Sequence, residues 1–480
     1  MTPGGNDGYA QSLFCQELSL NMKLCPIVAA FSSKRQCTCA TLGLMLIAAS
    51  LMPVPGRAQN IPTGARPAAQ AAQYTGPGSC SSSSCHGSVQ PRTETRVLQN
   101  EYSTWVVRDR HAKAFEVLTS AVAQRMARIL KLSKAEEAPK CLACHALAVP
   151  VEKQARTFSV RDGVSCESCH GPASAWLGPH TTRGWTHAQS VSAGLFDSKD
   201  LIRRSEKCLS CHLGTAEQFV DHEMLAAGHP DLYFELAAFT ATMPAHWKEP
   251  LAEDPWREVR AWSVGQAVQM REALEQLSRR AERGPWPEFA EMQCYACHHA
   301  LTTPEQSWRQ LRGYAGRRAG DPPWNASRFV VLRSWARMVN PETARQLEEA
   351  VNRVAELTSR MDGDRKAVAN AARAGSAAAD ALARQSNGMK FSPEMVLRLQ
   401  KLICADGDYV AQNGERAAEQ AAMALDSIFT AYARNAHPQN EKAVREAIEG
   451  LFQQVQNPSA FRPQSFTAQM SRVNALLGGS

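Results

Sequence analysis

Five pairs of cysteines, each followed at once by a histidine, constrain the fold of this chain more than any other feature. Four pairs have the spacing Cys-x-x-Cys-His, and the first has four serines between its cysteines. The motifs are Cys80, Cys85 and His86; Cys141, Cys144 and His145; Cys166, Cys169 and His170; Cys208, Cys211 and His212; and Cys294, Cys297 and His298. Two such thiols can add to the vinyl groups of one porphyrin, and the adjacent imidazole can bind the iron as proximal ligand. The pattern predicts five covalently attached c-type haems.

Paired cysteines also hold structural zinc, which is the alternative interpretation of these motifs. A zinc site does not require histidine directly after the second cysteine. With 13 histidines in 480 residues, five such histidines by chance have a probability on the order of 10⁻⁸. The longer Ser81 to Ser84 loop can bulge while both sulfurs reach the porphyrin, although a serine-rich linker that happens to contain cysteines is the alternative there. Outside the leader only Cys404 is unused, and we expect a buried apolar residue rather than a reactive thiol.

The N-terminus has the pattern of a secretory signal. Lys34 and Arg35 precede an apolar run over residues 41–51, and small residues lead to a cleavage site after Ala58. This predicts a signal peptide over residues 1–58, with an uncleaved anchor as the alternative. Haem is attached to cysteines on the exported side of the membrane, so we expect a periplasmic protein. Residues 59–76, rich in Ala, Gln, Pro and Gly, are predicted to form a disordered lead-in.

The rest of the chain is predicted to be mainly α-helical, with two domains. A pentahaem cytochrome domain with little regular sheet covers residues 77–320, and an α-helical bundle of four or five helices covers residues 325–480. One long helix, capped by Asp254 and ended by Gly284, is expected to pack on the haem core. Asn340 and Ser392, each followed by proline, mark helix starts in the bundle.

The charge of the chain gives no support for nucleic-acid binding. The formal net charge is +7, and ten haem propionates would add roughly −5 to −10. The holoprotein is therefore expected to be near neutral or acidic. We expect redox proteins as partners, and the C-terminal bundle could dock to a membrane complex.

The sixth ligand of each iron decides between an electron carrier and an enzyme, because a second strong ligand closes the iron to small molecules. His111, His180, His229 and His246 have sequence surroundings that allow close approach to a porphyrin, and we predict them as distal ligands. His187, His222 and His299 are weaker candidates. His437 is expected at a helix cap or on the surface, and the nearby methionines are expected to serve packing.

Part of the chain resembles the tetrahaem cytochrome c-554 family, whose members accept electrons from hydroxylamine oxidoreductase in ammonia oxidation. The resemblance covers residues 76 to about 213, under a third of the chain. The matching segments are Trp105 with His111-Ala-Lys-Ala, Cys141-Leu-Ala-Cys144-His145, Gly163-Val-Ser-Cys166-Glu-Ser-Cys169-His170-Gly-Pro172, Gly178-Pro-His180 and Cys208-Leu-Ser-Cys211-His212-Leu213.

The resemblance implies roles for three histidines. His111 would be the distal ligand of the third haem, His180 that of the first, and the haem on His145 would be five-coordinate. The longer first motif, the fifth motif and the C-terminal helical region depart from the family, so the redox partner cannot be carried over. No motif ends in lysine, which weakens a resemblance to pentahaem nitrite reductases.

These observations favour a periplasmic cytochrome that transfers electrons between partner proteins through five haems. The alternative is a haem enzyme that acts on a small nitrogen compound, such as nitric oxide, nitrite or hydroxylamine, at an open iron on His145. A docking or scaffold role for the C-terminal bundle is compatible with the first interpretation. The spin state of the resting irons would separate carrier from enzyme.

Overall fold

The computed structural model describes residues 72–95, 97–248, 250–298, 318, 321–360 and 363–478. Within them the regular structure is helical, and the β-structure consists of two isolated bridges, Tyr74 with Gln154 and Met292 with Trp324. The predicted mainly α class is therefore confirmed. The predicted signal peptide and most of the predicted lead-in lie outside the described residues. None of the described helices is both long enough and apolar enough to cross a membrane.

The motif-bearing region is built from short helices joined by loops. The helices are α1 (Glu101–Arg108), α2 (Ala114–Leu118), α3 (Ala121–Ile129), α4 (Pro139–His145), α5 (Cys166–His170), α6 (His187–Ser192), α7 (Leu201–His212), α8 (His222–Ala227) and α9 (Leu236–Thr242). Helices α4, α5 and α7 each end at the histidine of a motif. Cysteines three residues apart share one helix face, so these helices present both thiols of a motif together.

Longer helices form the remainder of the described chain. They are α10 (Arg257–Arg283), α11 (Ser327–Val339), α12 (Pro341–Ser359), α13 (Arg365–Asn387), α14 (Pro393–Ala405), α15 (Gly407–Gln412), α16 (Glu415–Ala436), α17 (Glu441–Val455) and α18 (Pro463–Gly478). The C-terminal region thus holds more helices than the predicted four or five, since short connections divide it further. The predicted starts are confirmed: the side chains of Asn340 and Ser392 accept hydrogen bonds from Thr343 N and Met395 N.

Helix α10 is the centre of the helical region rather than a cover for the haem region. Val259, Trp262 and Leu274 are completely buried, and even the polar Gln266 is 0% exposed. The helix packs along α13 and also against α7, α9, α11 and α16. Residues on both sides of the predicted boundary at 320–325 therefore share one hydrophobic core.

The start of α10 differs from the prediction. The helix begins at Arg257, and Asp254 does not cap it. The Asp254 carboxylate instead accepts a hydrogen bond of 2.9 Å from the Arg260 guanidinium. Gly284 is the C-terminal cap, as predicted. Cys404 is 4% exposed, and burial raises the pKa of its thiol to about 12, in keeping with the predicted packing role.

The last residues of the predicted disordered lead-in are held in place. Glu167, 2% exposed, lies between the cysteines of the third motif and accepts hydrogen bonds from Thr75 N (2.9 Å) and Gly76 N (2.7 Å). The same carboxylate accepts a bond of 2.8 Å from Ala173 N. The prediction of disorder is thus wrong for residues 72–76, because a buried carboxylate needs donors and these backbone amides supply them.

Candidate haem-binding site

Imidazole rings meet in pairs at a nearly constant distance. His86 and His180 lie with ring centres 6.2 Å apart and planes only 7° from parallel. Two imidazoles that bind one metal from opposite sides, with metal–nitrogen bonds of about 2.0 Å, have ring centres roughly 6.3 Å apart. The spacing therefore fits an iron held between the two rings. His180 faces the first motif, in agreement with what the resemblance implies.

Two further pairs have the same spacing with perpendicular rings. His111 lies 6.2 Å from His212 at an interplanar angle of 88°. His145 lies 6.4 Å from His229 at 86°. Both arrangements differ from what the resemblance implies: His111 faces the fourth motif rather than the third, and the second motif has an imidazole opposite its histidine.

The fifth motif finds a partner that was only a weak candidate in the sequence. His298 lies 6.3 Å from His222 at an interplanar angle of 31°. His222 begins α8, with Asp221 as the N-terminal cap, and its backbone N donates to Glu288 Oε1 at 3.0 Å. No local motif marks this position. The one sequence signal was that His222 and His229 stand seven residues apart, flanking a single short helix.

Hydrogen bonds at Nδ1 leave the other ring nitrogen for coordination. The Nδ1 atom is hydrogen-bonded to the Glu101 carboxylate in His86 (2.9 Å), to the Asp109 carboxylate in His111 (2.9 Å) and to Ala114 O in His145 (3.0 Å). Such partners fix the tautomer and the ring orientation of a metal-binding histidine.

The predicted distal histidines show the same pattern. Nδ1 is bonded to the backbone carbonyl of Trp176 in His180 (3.0 Å), of Pro230 in His229 (2.8 Å) and of Pro244 in His246 (3.3 Å). Because a carbonyl only accepts, Nδ1 carries the proton and Nε2 keeps its lone pair for a metal.

His187 has the opposite arrangement. Its Nε2 bonds Asp197 Oδ1 at 3.0 Å, so the nitrogen that would face an iron is already occupied. His437 is the left-handed C-terminal cap of α16, as predicted. His299 lies outside the described residues. The weak candidates therefore separate by geometry: His222 meets a motif histidine, and His187 does not.

His170 of the third motif has an imidazole whose pKa is strongly affected by burial. Burial lowers its pKa to about 4, and the nearby charges of His246 and His86 act in the same direction. His246 is thus a neighbour of His170, but within the described residues this pair lacks the ring-to-ring contact seen in the other four. Burial likewise lowers the pKa of His212 to about 4. Both imidazoles are neutral near pH 7, which is the form that binds a metal.

The first four motifs lie against one another. The thiols of Cys80 and Cys166 lie close enough to influence one another, and so do those of Cys144 and Cys211. Cys211 Sγ also lies 4.0 Å from Ala143 O, inside the second motif. Among the described residues, no three His, Cys, Asp or Glu side chains form a cluster for a bare metal ion.

Comparison with known proteins matches part of the chain to a cytochrome family. Residues 79–171 match the family described as cytochrome c554 and c-prime. The chain is 31% identical over 118 residues to cytochrome c-554 of Nitrosomonas europaea, an alignment that covers 22% of this chain and 48% of that protein. The chain thus spans about half the length of the relative that it matches. No solved structure matches it.

The motifs, the paired imidazoles and the match together define the class. They support a c-type cytochrome, a class in which haem is bound covalently. More particularly, it resembles the cytochrome c-554 family over the region of its first three motifs.

Proposed function

We propose that this protein is a periplasmic electron-transfer cytochrome with five covalently bound haems. The observation that carries the proposal is the imidazole spacing of 6.2–6.4 Å in four pairs that each include a motif histidine. Haem supplies one-electron redox chemistry, and its axial ligands and surroundings set the potential. In these four pairs both imidazoles would hold the iron, which would leave no open position for a substrate.

The chain's own residues keep these imidazoles in place. Carbonyls and carboxylates fix the rings through Nδ1, as at Ala114 O and Asp109. Phe234 and Phe239 lie 5.4 Å and 5.1 Å from the His212 ring, so that imidazole is enclosed by aromatic side chains. Rigid ligands and a dry environment keep structural change small when an electron arrives, which suits a carrier.

The alternative function, an enzyme at an open iron, has one specific observation in its favour. His170 has no imidazole in ring contact within the described part of the chain, whereas the second motif, which the resemblance implied to be open, faces His229. A small nitrogen compound would therefore be expected at the third motif rather than the second. His246 competes for that position, and we propose it as the distal ligand there.

Haem content and coordination test the proposal. The mature protein should bind five haems by pyridine haemochrome assay and intact mass, and its irons should be low-spin without a carbon monoxide shift. The variant His229→Ala should add one high-spin, carbon monoxide-binding haem, whereas His187→Ala should not, because His187 already uses Nε2. A high-spin haem in the unsubstituted protein would favour the enzyme, and fewer than four covalent haems would contradict the motif assignment.

Location and partners need separate tests. The proposal predicts an N-terminus at Gln59 in protein purified from the periplasm.

Redox partner proteins and docking to a membrane complex are part of the proposal. Because α10 shares a core with α11 to α18, removal of residues 325–480 would expose apolar surface. Exposed charges on α12, such as Arg345 and Arg353, are better sites for substitutions that should slow reduction by membranes if α12 docks.

A further inference from the structure

Three arginines from three helices lie near the fifth motif, where the bridge between Met292 and Trp324 and the hydrogen bond from Gln293 Nε2 to Asn413 O hold the starts of α11 and α16. Arg280 comes from α10, Arg328 from the first turn of α11, and Arg416 from the first turn of α16. Their charges act on one another: Arg328 lowers the pKa of Arg280, and Arg416 lowers that of Arg328. Burial is the larger cause in both cases. Arg416 in turn acts on the Cys294 thiol of the motif.

The nearby carboxylates do not balance the charges of the three arginines equally. Arg280 pairs with Glu291, and Arg416 pairs with Asp231. Asp231 is also the carboxylate that acts on Arg328, which therefore shares its counter-charge with Arg416. Glu415 and Glu419 lie near Arg416, but burial raises the pKa of both; for Glu419 it raises the pKa to about 7, so that carboxyl supplies less than a full negative charge near pH 7.

Each of the three guanidinium groups also keeps a buried donor without an acceptor. These atoms are Arg280 Nε, Arg328 Nε and Arg416 Nη2. A buried donor on a charged group costs folding free energy unless something accepts from it. The thiols of the fifth motif, Cys294 and Cys297, are exposed, so a group attached to them could supply the acceptor.

We propose that Arg328 and Arg416 bind propionate carboxylates of the haem attached at Cys294 and Cys297. This rests on the proposed function, since it requires the fifth haem. A propionate is an anionic acceptor, and guanidinium binds carboxylate with two parallel N–H donors. The interaction would satisfy the orphaned Arg328 Nε and Arg416 Nη2 and balance the charge that Asp231 cannot balance alone. Arg280 has more partners of its own, since its Nη1 and Nη2 donate to Gln276 and Glu291 and its guanidinium lies over the Phe219 ring, so it is a neighbour rather than a ligand in this arrangement.

The experiment uses the full-length holoprotein and the variants Arg328→Gln, Arg416→Gln and Arg328→Lys. Haem is first counted by intact mass. Four haems in the unsubstituted protein would contradict the proposed function itself. With five present, the redox component of the fifth haem is identified as the one lost when Cys294 and Cys297 are both changed to Ala. Resonance Raman difference spectra then follow the propionate bending bands.

Both glutamine variants should lower the potential of that component alone and shift one propionate band, because loss of a positive charge favours ferric iron. Arg328→Lys should recover part of the potential but not the band position, since lysine keeps the charge and loses the two-pronged geometry. Arg333→Gln is the matched control: it lies on the same helix, but its guanidinium pairs with Glu348 and Asp406. The proposal would be overturned if both glutamine variants left the potential of the component and the propionate band unchanged, or if Arg328→Lys fully recovered both.

Discussion

Glu167 is the residue whose substitution tests the described fold most directly. It lies in the Cys166-Glu-Ser-Cys169 motif, and its carboxylate accepts from the backbone amides of Thr75, Gly76 and Ala173. These bonds fix the segment that leads to the first motif, whose Cys80 lies four residues beyond Gly76. The change Glu167→Gln removes the charge and converts one acceptor oxygen into a donor.

The expected cost follows from the hydrogen bonds. If the amide oxygen takes the position of Oε1, it keeps the bonds from Thr75 N and Ala173 N, which weaken to neutral bonds. The amide nitrogen then faces Gly76 N, which is left without an acceptor. One buried unsatisfied donor costs about 1–3 kcal/mol, and the two weakened bonds lose about 1 kcal/mol together. We expect a loss of about 3 kcal/mol in the free energy of unfolding.

Urea unfolding of the holoprotein, followed by far-ultraviolet circular dichroism, measures this loss. Hydrogen exchange at the Thr75 and Gly76 amides reports whether the loss is local. Glu116→Gln is the matched control: Glu116 pairs with Lys113 at 3.7 Å and is 74% exposed, so we expect less than about 0.5 kcal/mol. Equal unfolding midpoints for the two variants, with unchanged protection at Thr75 and Gly76, would refute the reasoning.

Three further predictions concern the helical region. Burial raises the pKa of Glu235 to about 7. Between the ordinary pKa of a glutamate and this value, the folded protein holds a proton that the unfolded chain has lost. The free energy of unfolding should therefore fall by about 2–3 kcal/mol between pH 5 and pH 8 relative to Glu235→Gln, measured as urea midpoints against pH. Asn340→Ala removes the cap of α12 and should cost about 1 kcal/mol, whereas an unchanged melting temperature would contradict the capping role. Gly265→Ala should destabilise by about 1–3 kcal/mol despite its better helix propensity, because its Cβ would lie 2.6 Å from Leu236 Cβ; a stabilised variant would show that α9 and α10 can move apart.

Local sequence rules predicted the elements of the C-terminal helices well. Leu347, Val351 and Val354 repeat at helical spacing, and all three are nearly or fully buried in α12. The caps at Asn340 and Ser392 were predictable for the same reason, since a cap depends on residues within one turn. The role of α10 was not predictable. Its stripe of apolar residues showed that one face is buried, but Gln266 and Ser263 on other faces gave no sign of burial among neighbouring helices.

The residues of the site were likewise predictable from the sequence only in part. The motif cysteines and histidines are neighbours in sequence, so the spacing alone indicates their chemistry. The partners opposite them come from distant segments, and their identity depends on how the chain folds. The sequence offered similar grounds for His187 and His222. The structure separates them, because Asp197 engages Nε2 of His187, whereas α8 places His222 beside His298.

The segment from His222 to His229 connects two features that depart from what the resemblance implies, the added fifth motif and the imidazole opposite His145. At one end of α8, His222 meets the histidine of the added fifth motif, and at the other end His229 meets His145. Lys140, at the start of α4, forms an ion pair of 2.5 Å with Asp221, the cap of α8. Because both ends of these eight residues contact a motif histidine, the segment has little freedom to move away from either histidine. In the proposed pentahaem protein the two contacts would therefore be coupled, and we expect loss of the contact at His298 to disturb the position of His229 as well.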